Sequence, residues 1–186
     1  MSKRIFISGA SSGIGEHLAY AYAKRGANIG LAARRTELLE KIAASCRDFG
    51  GKAHIYQVDA KERLATKGAA DDFMQKVGGI DMVIANAGIG GHDDLMSGDS
   101  SAINNIIETN VLGVTNTLIP FIPIMKEQKS GVLVNVSSVA SFLRIAYHGG
   151  YAGAKVNIRL MADSWRLTLT KYNIQVTTIC PGFIKT

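Results

Sequence analysis

The stretch RIFISGASSGIG, residues 4–15, joins a short apolar run to three closely spaced glycines. The run at 4–8 is short, largely apolar and ends at a glycine, which is typical of a buried β-strand. The segment that follows, 16–26, repeats apolar residues at helical spacing and closes at Gly26. A strand, a glycine-rich turn and a helix in this order predict the first unit of an α/β fold.

The same unit recurs along the whole chain. A second strand is predicted at 28–33 and a second helix at 36–50, with Thr36 as its N-cap and Gly50 as its end. Further strands are predicted at 53–58, 81–86, 131–138 and 174–179, separated by helices at about 62–77, 101–128 and 152–172. Because parallel strands need crossover connections, this alternation predicts a doubly wound α/β domain, a parallel sheet covered by helices on both faces. No linker or internal repeat divides residues 1–186, so we expect a single domain.

The composition excludes several classes of protein. With 47% apolar and 19% charged residues, the chain has the balance of a soluble globular protein. No apolar run approaches the roughly 20 residues that span a bilayer. The apolar stretch in MSKRIFISG, residues 1–9, is too short for a secretory signal. We therefore expect a cytoplasmic protein without a membrane partner.

The charge pattern argues against a nucleic-acid partner, and the cysteines argue against a disulfide framework and a metal site. The net charge is +6, but the basic residues are scattered and no aromatic and basic stripe accompanies them. Such a diffuse charge suits a small phosphorylated ligand, and we expect no nucleic-acid partner. Cys46 and Cys180 lie far apart without ligand-like spacing, so neither a disulfide framework nor a metal site is indicated.

The glycine turn after the first strand is a candidate phosphate site. In doubly wound sheets, ligands bind at the carboxyl ends of the strands where the strand order reverses. Glycines let the backbone approach a ligand closely, and the next helix directs its first amide groups and its positive end toward that ligand. The candidate contacts are Gly9, Ser11, Ser12, Gly13, Ile14 and Gly15. For three glycines alone, a tight turn without a ligand is an equal alternative.

A second stretch, GGYAGAKVNI at 149–158, places Tyr151 and Lys155 four positions apart at the start of a predicted helix. Residues at this spacing are neighbours on a helix surface. By itself the spacing indicates only that the two side chains can meet.

Together, the glycine pattern G-x-x-x-G-x-G and the pattern Y-x-x-x-K resemble the short-chain dehydrogenase/reductase family. Further elements of that family follow in order, namely VDA at 58–60, ANAG at 85–88, TNVLG at 109–113, VNVSS at 134–138 and PGFIKT at 181–186. The resemblance implies a three-layer Rossmann-type domain that binds a nicotinamide dinucleotide. It also implies hydride transfer between that cofactor and a carbonyl compound or secondary alcohol.

The resemblance also assigns cofactor contacts outside the glycine turn. It implies that Asp59 accepts a hydrogen bond from the adenine amino group. It places Asn86, Ala87 and Gly88 along the floor of the cofactor site, near the adenosine ribose. It places Pro181, Gly182, Ile184 and Thr186 near the nicotinamide carboxamide. An isolated Asn or Asp at a strand end often only caps a turn, so these assignments depend on the order of the whole set.

The end of the second predicted strand bears on the choice of cofactor. An acidic residue there would bind the ribose hydroxyls, whereas an arginine would accommodate a 2′-phosphate. In GLAARRTE, 30–37, Ala33 stands where the acid is expected and Arg34 follows it. A guanidinium can make paired, charge-assisted hydrogen bonds to a phosphate, so NADP(H) is predicted rather than NAD(H). The alternative is that Arg34 and Arg35 belong to a solvated loop.

The chemistry implied by the family requires a proton donor and acceptor. A free tyrosine, with a pKa of about 10, is a poor base near neutrality. A lysine ammonium one turn away stabilises a phenolate by Coulomb attraction, so Tyr151 is the predicted general acid/base and Lys155 its partner.

Two more residues complete the predicted catalytic set. Ser138 precedes Tyr151 by the family's spacing and can donate to the substrate oxygen, with Ser137 as the competing candidate. Asn110 matches the helix asparagine that supports a water relay to the lysine in relatives. The alternative to an enzyme is a non-catalytic dinucleotide-binding scaffold or sensor, which has no use for all four residues.

Substrate and assembly are less well defined by the sequence. Phe142, Leu143 and Ile145 could line a pocket for an apolar ketone or alcohol, or could belong to the core. The helices predicted at 101–128 and 152–172 resemble those that pair between subunits in the family, which implies a homodimer or homotetramer. Relatives continue past the position of Thr186 into a lid over the substrate and a last strand and helix, so the resemblance implies that residues 1–186 form the NADP-binding part without these elements.

Overall fold

Six short strands form one parallel sheet in the computed structural model, which describes residues 2–184. The strands are β1 (Arg4–Ser8), β2 (Asn28–Ala33), β3 (Lys52–Gln57), β4 (Met82–Ala85), β5 (Gly131–Val136) and β6 (Ile174–Ile179). Their order is β3-β2-β1-β4-β5-β6, and every pairing is parallel. The predicted doubly wound α/β fold is confirmed.

The helices cover both faces of this sheet. They are α1 (Gly13–Ala23), α2 (Thr36–Asp48), α3 (Arg63–Val77), α4 (Ser101–Ile107), α5 (Gly113–Leu118), α6 (Ile122–Gln128) and α7 (Gly149–Leu169). α1 and α2 pack on one face, and α3, α5, α6 and α7 pack on the other. Successive side chains of a strand point to opposite faces. Ile5 and Ile7 therefore belong to the apolar core beneath α1 and α2, and Phe6 belongs to the core on the other face of the sheet.

The strand order reverses between β1 and β4. From β1 the chain builds outward through β2 to β3, and then returns to place β4 on the other side of β1. Neighbouring connections therefore leave on opposite faces, which opens a crevice at the carboxyl ends of β1 and β4. The glycine turn follows β1 and Asn86 follows β4, so both predicted cofactor segments border this crevice.

The single long helix predicted over 101–128 is wrong. A π-helical turn, Glu108–Leu112, separates α4 from α5, and a 3₁₀ turn, Ile119–Phe121, separates α5 from α6. Pro120 lies in that 3₁₀ turn and Pro123 in the first turn of α6, where a missing amide hydrogen and the ring prevent a continuous ladder. Asn110 lies in the π-helical turn, a deviation that often marks functional sites.

Other predicted boundaries shift by a few residues. Thr36 is not an N-cap, because Arg35 takes the extended cap position and Thr36 is the first residue of α2. The strand predicted at 131–138 ends at Val136, which leaves Ser137 and Ser138 just past the sheet. Among residues 2–184, no helix combines the length and the apolar character needed to cross a membrane.

Candidate active site

The glycine turn and the loop after β4 approach each other too closely for side chains. Gly9 has a φ of 65°, and a Cβ added to it would lie 2.7 Å from the Cα of Ala87. The Asn86 amide donates to the Gly9 carbonyl at 3.0 Å, and the Ser8 hydroxyl accepts from the backbone of Asn86 and of Ala87 at 3.3 Å each. The two predicted cofactor segments are therefore fixed side by side.

The crevice above these loops contains a cavity of about 240 Å³. The predicted cofactor residues that line it are Gly9, Ser11, Ser12, Arg34, Asp59, Asn86, Ala87 and Gly88. Gly13, Ile14 and Gly15 form the first turn of α1 instead, and a Cβ on Gly15 would overlap the Gly9 carbonyl oxygen. Gly15 is thus required for close packing of α1 against the turn rather than for the cavity wall.

Two guanidinium groups stand at one end of the cavity. Arg35 donates through Nη2 to the Ser11 hydroxyl at 3.0 Å and to the Ser12 hydroxyl at 2.8 Å. Nη1 of Arg34 lies 3.8 Å from Oδ2 of Asp59, and its side chain is 70% exposed. Charged donors and hydroxyls in this arrangement can hold a phosphate. Sequence reasoning selected Arg34 alone and missed Arg35, although both arginines lie in the same GLAARRTE motif.

Tyr151 and Lys155 share one face of α7. The Lys155 side chain is buried, its Nζ donates to the Val136 carbonyl at 2.9 Å, and Nζ lies 5.6 Å from the centre of the Tyr151 ring. Burial lowers the pKa of Lys155 to about 8, and the nearby Cys180 acts weakly in the opposite direction. Lys155 therefore remains mostly an ammonium at neutral pH, held beside the tyrosine.

The structure distinguishes the two serines that follow β5. The Ser137 hydroxyl is buried and donates to the backbone carbonyl of Lys155 at 2.9 Å. The Ser138 side chain is only partly buried, and its oxygen accepts from the backbone of Ala140 at 3.1 Å. Ser137 thus holds α7 against β5, whereas the Ser138 hydroxyl keeps its proton available for another acceptor.

Asn110 connects the π-helical turn to the loop after β4. It is completely buried, its Oδ1 accepts from the Ile89 amide at 3.2 Å and its Nδ2 donates to the Ile89 carbonyl at 2.7 Å. A Cβ on Gly88 would lie 2.6 Å from Oδ1 of Asn110 and 3.3 Å from Nζ of Lys155. Gly88, which also lines the cavity, is therefore the point where the loop after β4 meets Asn110 and Lys155.

The remaining predicted cofactor residues belong to the segment that follows β6. The Pro181 carbonyl accepts from the Val139 amide at 3.0 Å, which ties the segment after β6 to the turn that carries Ser138. Gly182 and Ile184 are exposed and are not among the residues that line the cavity, and Thr186 lies outside the described residues. Phe142, Leu143 and Ile145 are exposed by 64%, 54% and 40%, so they do not belong to the core.

The sequence from residue 3 to residue 186 matches the family model described as short chain dehydrogenase. The chain belongs to the short-chain dehydrogenase/reductase family. It is 35% identical over 179 residues to an uncharacterised oxidoreductase of Myxococcus xanthus, a match that covers 96% of this chain and 71% of that protein.

Solved structures of the family superpose closely on this chain. An alcohol dehydrogenase of Thermococcus sibiricus, complexed with 5-hydroxy-NADP, matches with a TM-score of 0.93 and 29% identity over 100% of this chain and 78% of that one. An NAD⁺-bound xylitol dehydrogenase matches with a TM-score of 0.94 and 30% identity over 99% of this chain and 71% of that one. This short-chain dehydrogenase/reductase is therefore an oxidoreductase with a site for a nicotinamide dinucleotide.

Proposed function

We propose that the chain is an NADP(H)-dependent oxidoreductase that interconverts carbonyl compounds and secondary alcohols. The observation that supports this best is the layout of the crevice. Two arginines border one end, and Gly88 at the cavity wall adjoins Asn110 and Lys155. A nucleotide phosphate and a reacting carbonyl could then be held by one continuous surface.

In this proposal the residues that hold the cofactor are those of the two adjacent loops. Arg34 and Arg35, with the Ser11 and Ser12 hydroxyls, would bind the 2′-phosphate, and the start of α1 would hold the pyrophosphate. Asp59 would accept a hydrogen bond from the adenine amino group, residues 86–88 would support the ribose, and the segment from Pro181 would contact the nicotinamide carboxamide. When bound, the nicotinamide supplies or accepts the hydride.

Tyr151, Lys155 and Ser138 perform the proton chemistry. The Tyr151 hydroxyl donates its proton to the substrate oxygen as negative charge develops there, and accepts it in the reverse direction. The buried Lys155 ammonium stabilises the phenolate that remains, since attraction is strong where water is excluded. The Ser138 hydroxyl donates a hydrogen bond to the same substrate oxygen. Asn110 supports this arrangement by holding the loop beside Lys155.

Replacement of Tyr151 by Phe tests the acid/base assignment. We expect turnover of every carbonyl compound accepted by the wild type to fall to a few per cent or less, while NADPH affinity measured by fluorescence titration is retained. Tyr172→Phe, on a tyrosine of the 3₁₀ turn after α7, is the matched control and should behave as wild type. Substantial activity in Tyr151→Phe would refute the assignment, and a wild type that binds NADPH but reduces no carbonyl compound would indicate the scaffold instead.

Cofactor preference is tested at the two arginines. Each charged hydrogen bond to a phosphate contributes about 1.5 to 3 kcal/mol, so Arg35→Ala should lower kcat/KM for NADPH about 10- to 100-fold and leave the value for NADH unchanged. Arg34→Ala should act in the same direction, and Lys41→Ala, on the exposed side of α2, should leave both values unchanged. Equal efficiency of the wild type with NADH and NADPH would contradict the proposed preference.

The exposed apolar residues support an apolar substrate and self-association. Phe142, Leu143 and Ile145 are exposed on the segment that follows Ser138, where they could contact an apolar ketone or alcohol. Exposed apolar residues also mark the helical segment 101–128 and α7, namely Ile107, Leu112, Ile119, Leu160 and Leu167. A homodimer or homotetramer that buries them would sediment at a multiple of the monomer mass, and a monomer at all concentrations would exclude it.

A further inference from the structure

The segment 89–93, which we name the strap, connects the two halves of the candidate active site. At its first residue, Ile89, both backbone groups are bonded to the Asn110 side chain. At its last residue, Asp93, the backbone amide donates to the Tyr147 carbonyl at 2.7 Å. A ring nitrogen of His148 lies 2.8 Å from the Gly91 carbonyl between these ends. The strap thus bridges Asn110 and the residues immediately before α7.

Asp93 is the buried residue of an otherwise exposed loop. The residue is only 5% exposed, whereas the neighbouring His92 and Asp94 are exposed. Both oxygens of its carboxylate face the Gly150 amide, at 3.0 Å for Oδ2 and 3.3 Å for Oδ1. A buried carboxylate is costly unless it is hydrogen-bonded, and the positive end of a long helix compensates it further. The carboxylate is therefore matched to the start of α7.

The two glycines at this helix start make room for that carboxylate. A Cβ on Gly149 would lie 3.1 Å from Oδ2 of Asp93, and a Cβ on Gly150 would lie 3.0 Å from Oδ1 and 3.2 Å from Cγ2 of Ile103. Neither glycine has a positive φ, so the backbone conformation alone does not require them. Their small size serves the contact with Asp93 and Ile103.

Tyr147, two residues before the start of α7, supports the same interpretation. Tyr147 has a φ of 60°, a conformation that bulky side chains rarely adopt and that persists only where the surroundings enforce it. Its ring stacks on that of His92 with the centroids 4.7 Å apart, and its carbonyl is held by Asp93. The strap therefore holds the chain in a strained turn at Tyr147, four residues before Tyr151.

We propose that Asp93 is a positioning residue for the reaction. It holds the amide of Gly150, the residue before Tyr151, and through the strap it fixes the first turn of α7 relative to Asn110. This proposal rests on the proposed function of Tyr151. A misplacement of a reacting group by about 1 Å can lower a rate about 100-fold, so a contact one residue from the phenol-bearing residue has a direct effect on turnover.

Turnover per NADPH-binding site separates positioning from a purely structural role. Binding sites are counted by NADPH fluorescence titration, and kcat is measured with the carbonyl compound that the wild type reduces fastest. We expect Asp93→Ala to lower kcat per site about 10- to 100-fold with NADPH affinity retained, and Asp93→Asn, which keeps one acceptor oxygen, to restore part of it. Asp94→Asn is the matched control at the exposed neighbour and should equal the wild type.

A second variant probes the contact from the helix side. Gly150→Ala pushes its Cβ against Asp93, so kcat per site should fall, and the fall should be smaller in the Asp93→Ala background, where space is available. Fully additive effects would contradict the proposal. Wild-type kcat per site in Asp93→Ala, with only the number of folded sites reduced, would overturn it in favour of a structural role.

Hydrogen exchange provides a readout that does not depend on activity. In Asp93→Ala the amides of the first turn of α7, Gly150 above all, should exchange faster than in the wild type and in Asp94→Asn. Unchanged exchange there would overturn the proposal even if no substrate were found. Absence of turnover in the wild type refutes the proposed function instead, so the two failures can be distinguished.

Discussion

The free energy of unfolding of Lys155→Met, relative to that of the wild type, should be higher at neutral pH than in alkaline solution. Burial lowers the pKa of Lys155 from 10.5 to about 8, because the folded protein disfavours the charged ammonium. A shift of this size corresponds to about 3 kcal/mol between the folded and unfolded chains. A methionine side chain would fill similar space without the charge, although the hydrogen bond to the Val136 carbonyl would be lost at every pH.

The sign of the pH dependence follows from proton binding. Below pH 8 the lysine is charged in both the folded and the unfolded state. Burial of this charge then lowers the free energy of unfolding of the wild type by the full amount of about 3 kcal/mol. Between pH 8 and pH 10.5 the unfolded chain binds more protons than the folded protein, so the wild type gains stability relative to Lys155→Met as the pH rises. The free energy of unfolding of the wild type minus that of Lys155→Met should increase by about 3 kcal/mol over this window.

Urea unfolding of both proteins at several pH values measures this difference. The other titrating groups are common to both chains, so their contributions cancel in the subtraction. Lys41→Met, at an exposed position of α2, is the control for removal of a lysine without a change in a buried site. A constant difference for Lys155→Met would refute the reasoning that burial of the ammonium destabilises the folded state.

Two further changes test the packing of the site and of the sheet. Gly9→Ala should reduce stability by about 1 to 3 kcal/mol and weaken NADPH binding, because it adds backbone strain and a clash with Ala87. Gly26 has a φ of 70° and open space around it, so Gly26→Ala is the control and should show the strain alone, with no change in NADPH affinity. Asp81→Asn should reduce stability by about 1 to 3 kcal/mol at neutral pH, because Arg4 binds that carboxylate through its backbone and its guanidinium. Burial raises the pKa of Asp81, but the hydrogen bonds from Arg4 outweigh it and lower the pKa below 3.8, so the difference in unfolding free energy should shrink as the pH falls below 3.8 and stay constant above it.

The architecture could be predicted because local patterns encode it. The alternation of strand and helix periods, with glycine at the turns, determined a parallel sheet covered on both faces, and the patterns around Gly9 and Tyr151 determined the family. These signals lie within a few residues of one another, so they can be read without knowledge of the packing. The break in the helix at 101–128 was missed at Asn110, since a π-helical turn there is stabilised by contacts with the distant Ile89.

The contacts that define the site depend on packing between distant segments. In the sequence, only the family's spacing favours Ser138 over Ser137, and the position of α7 shows that Ser137 donates to the Lys155 carbonyl. The bond from Arg35 to Ser12 and the pairing of Asp93 with Gly150 join residues 23 and 57 positions apart. The sequence by itself determined the fold and the candidate residues for the chemistry, whereas the tertiary structure decided which side chains hold those candidates in place, because hydrogen bonding and burial depend on neighbours that only the folded chain brings together.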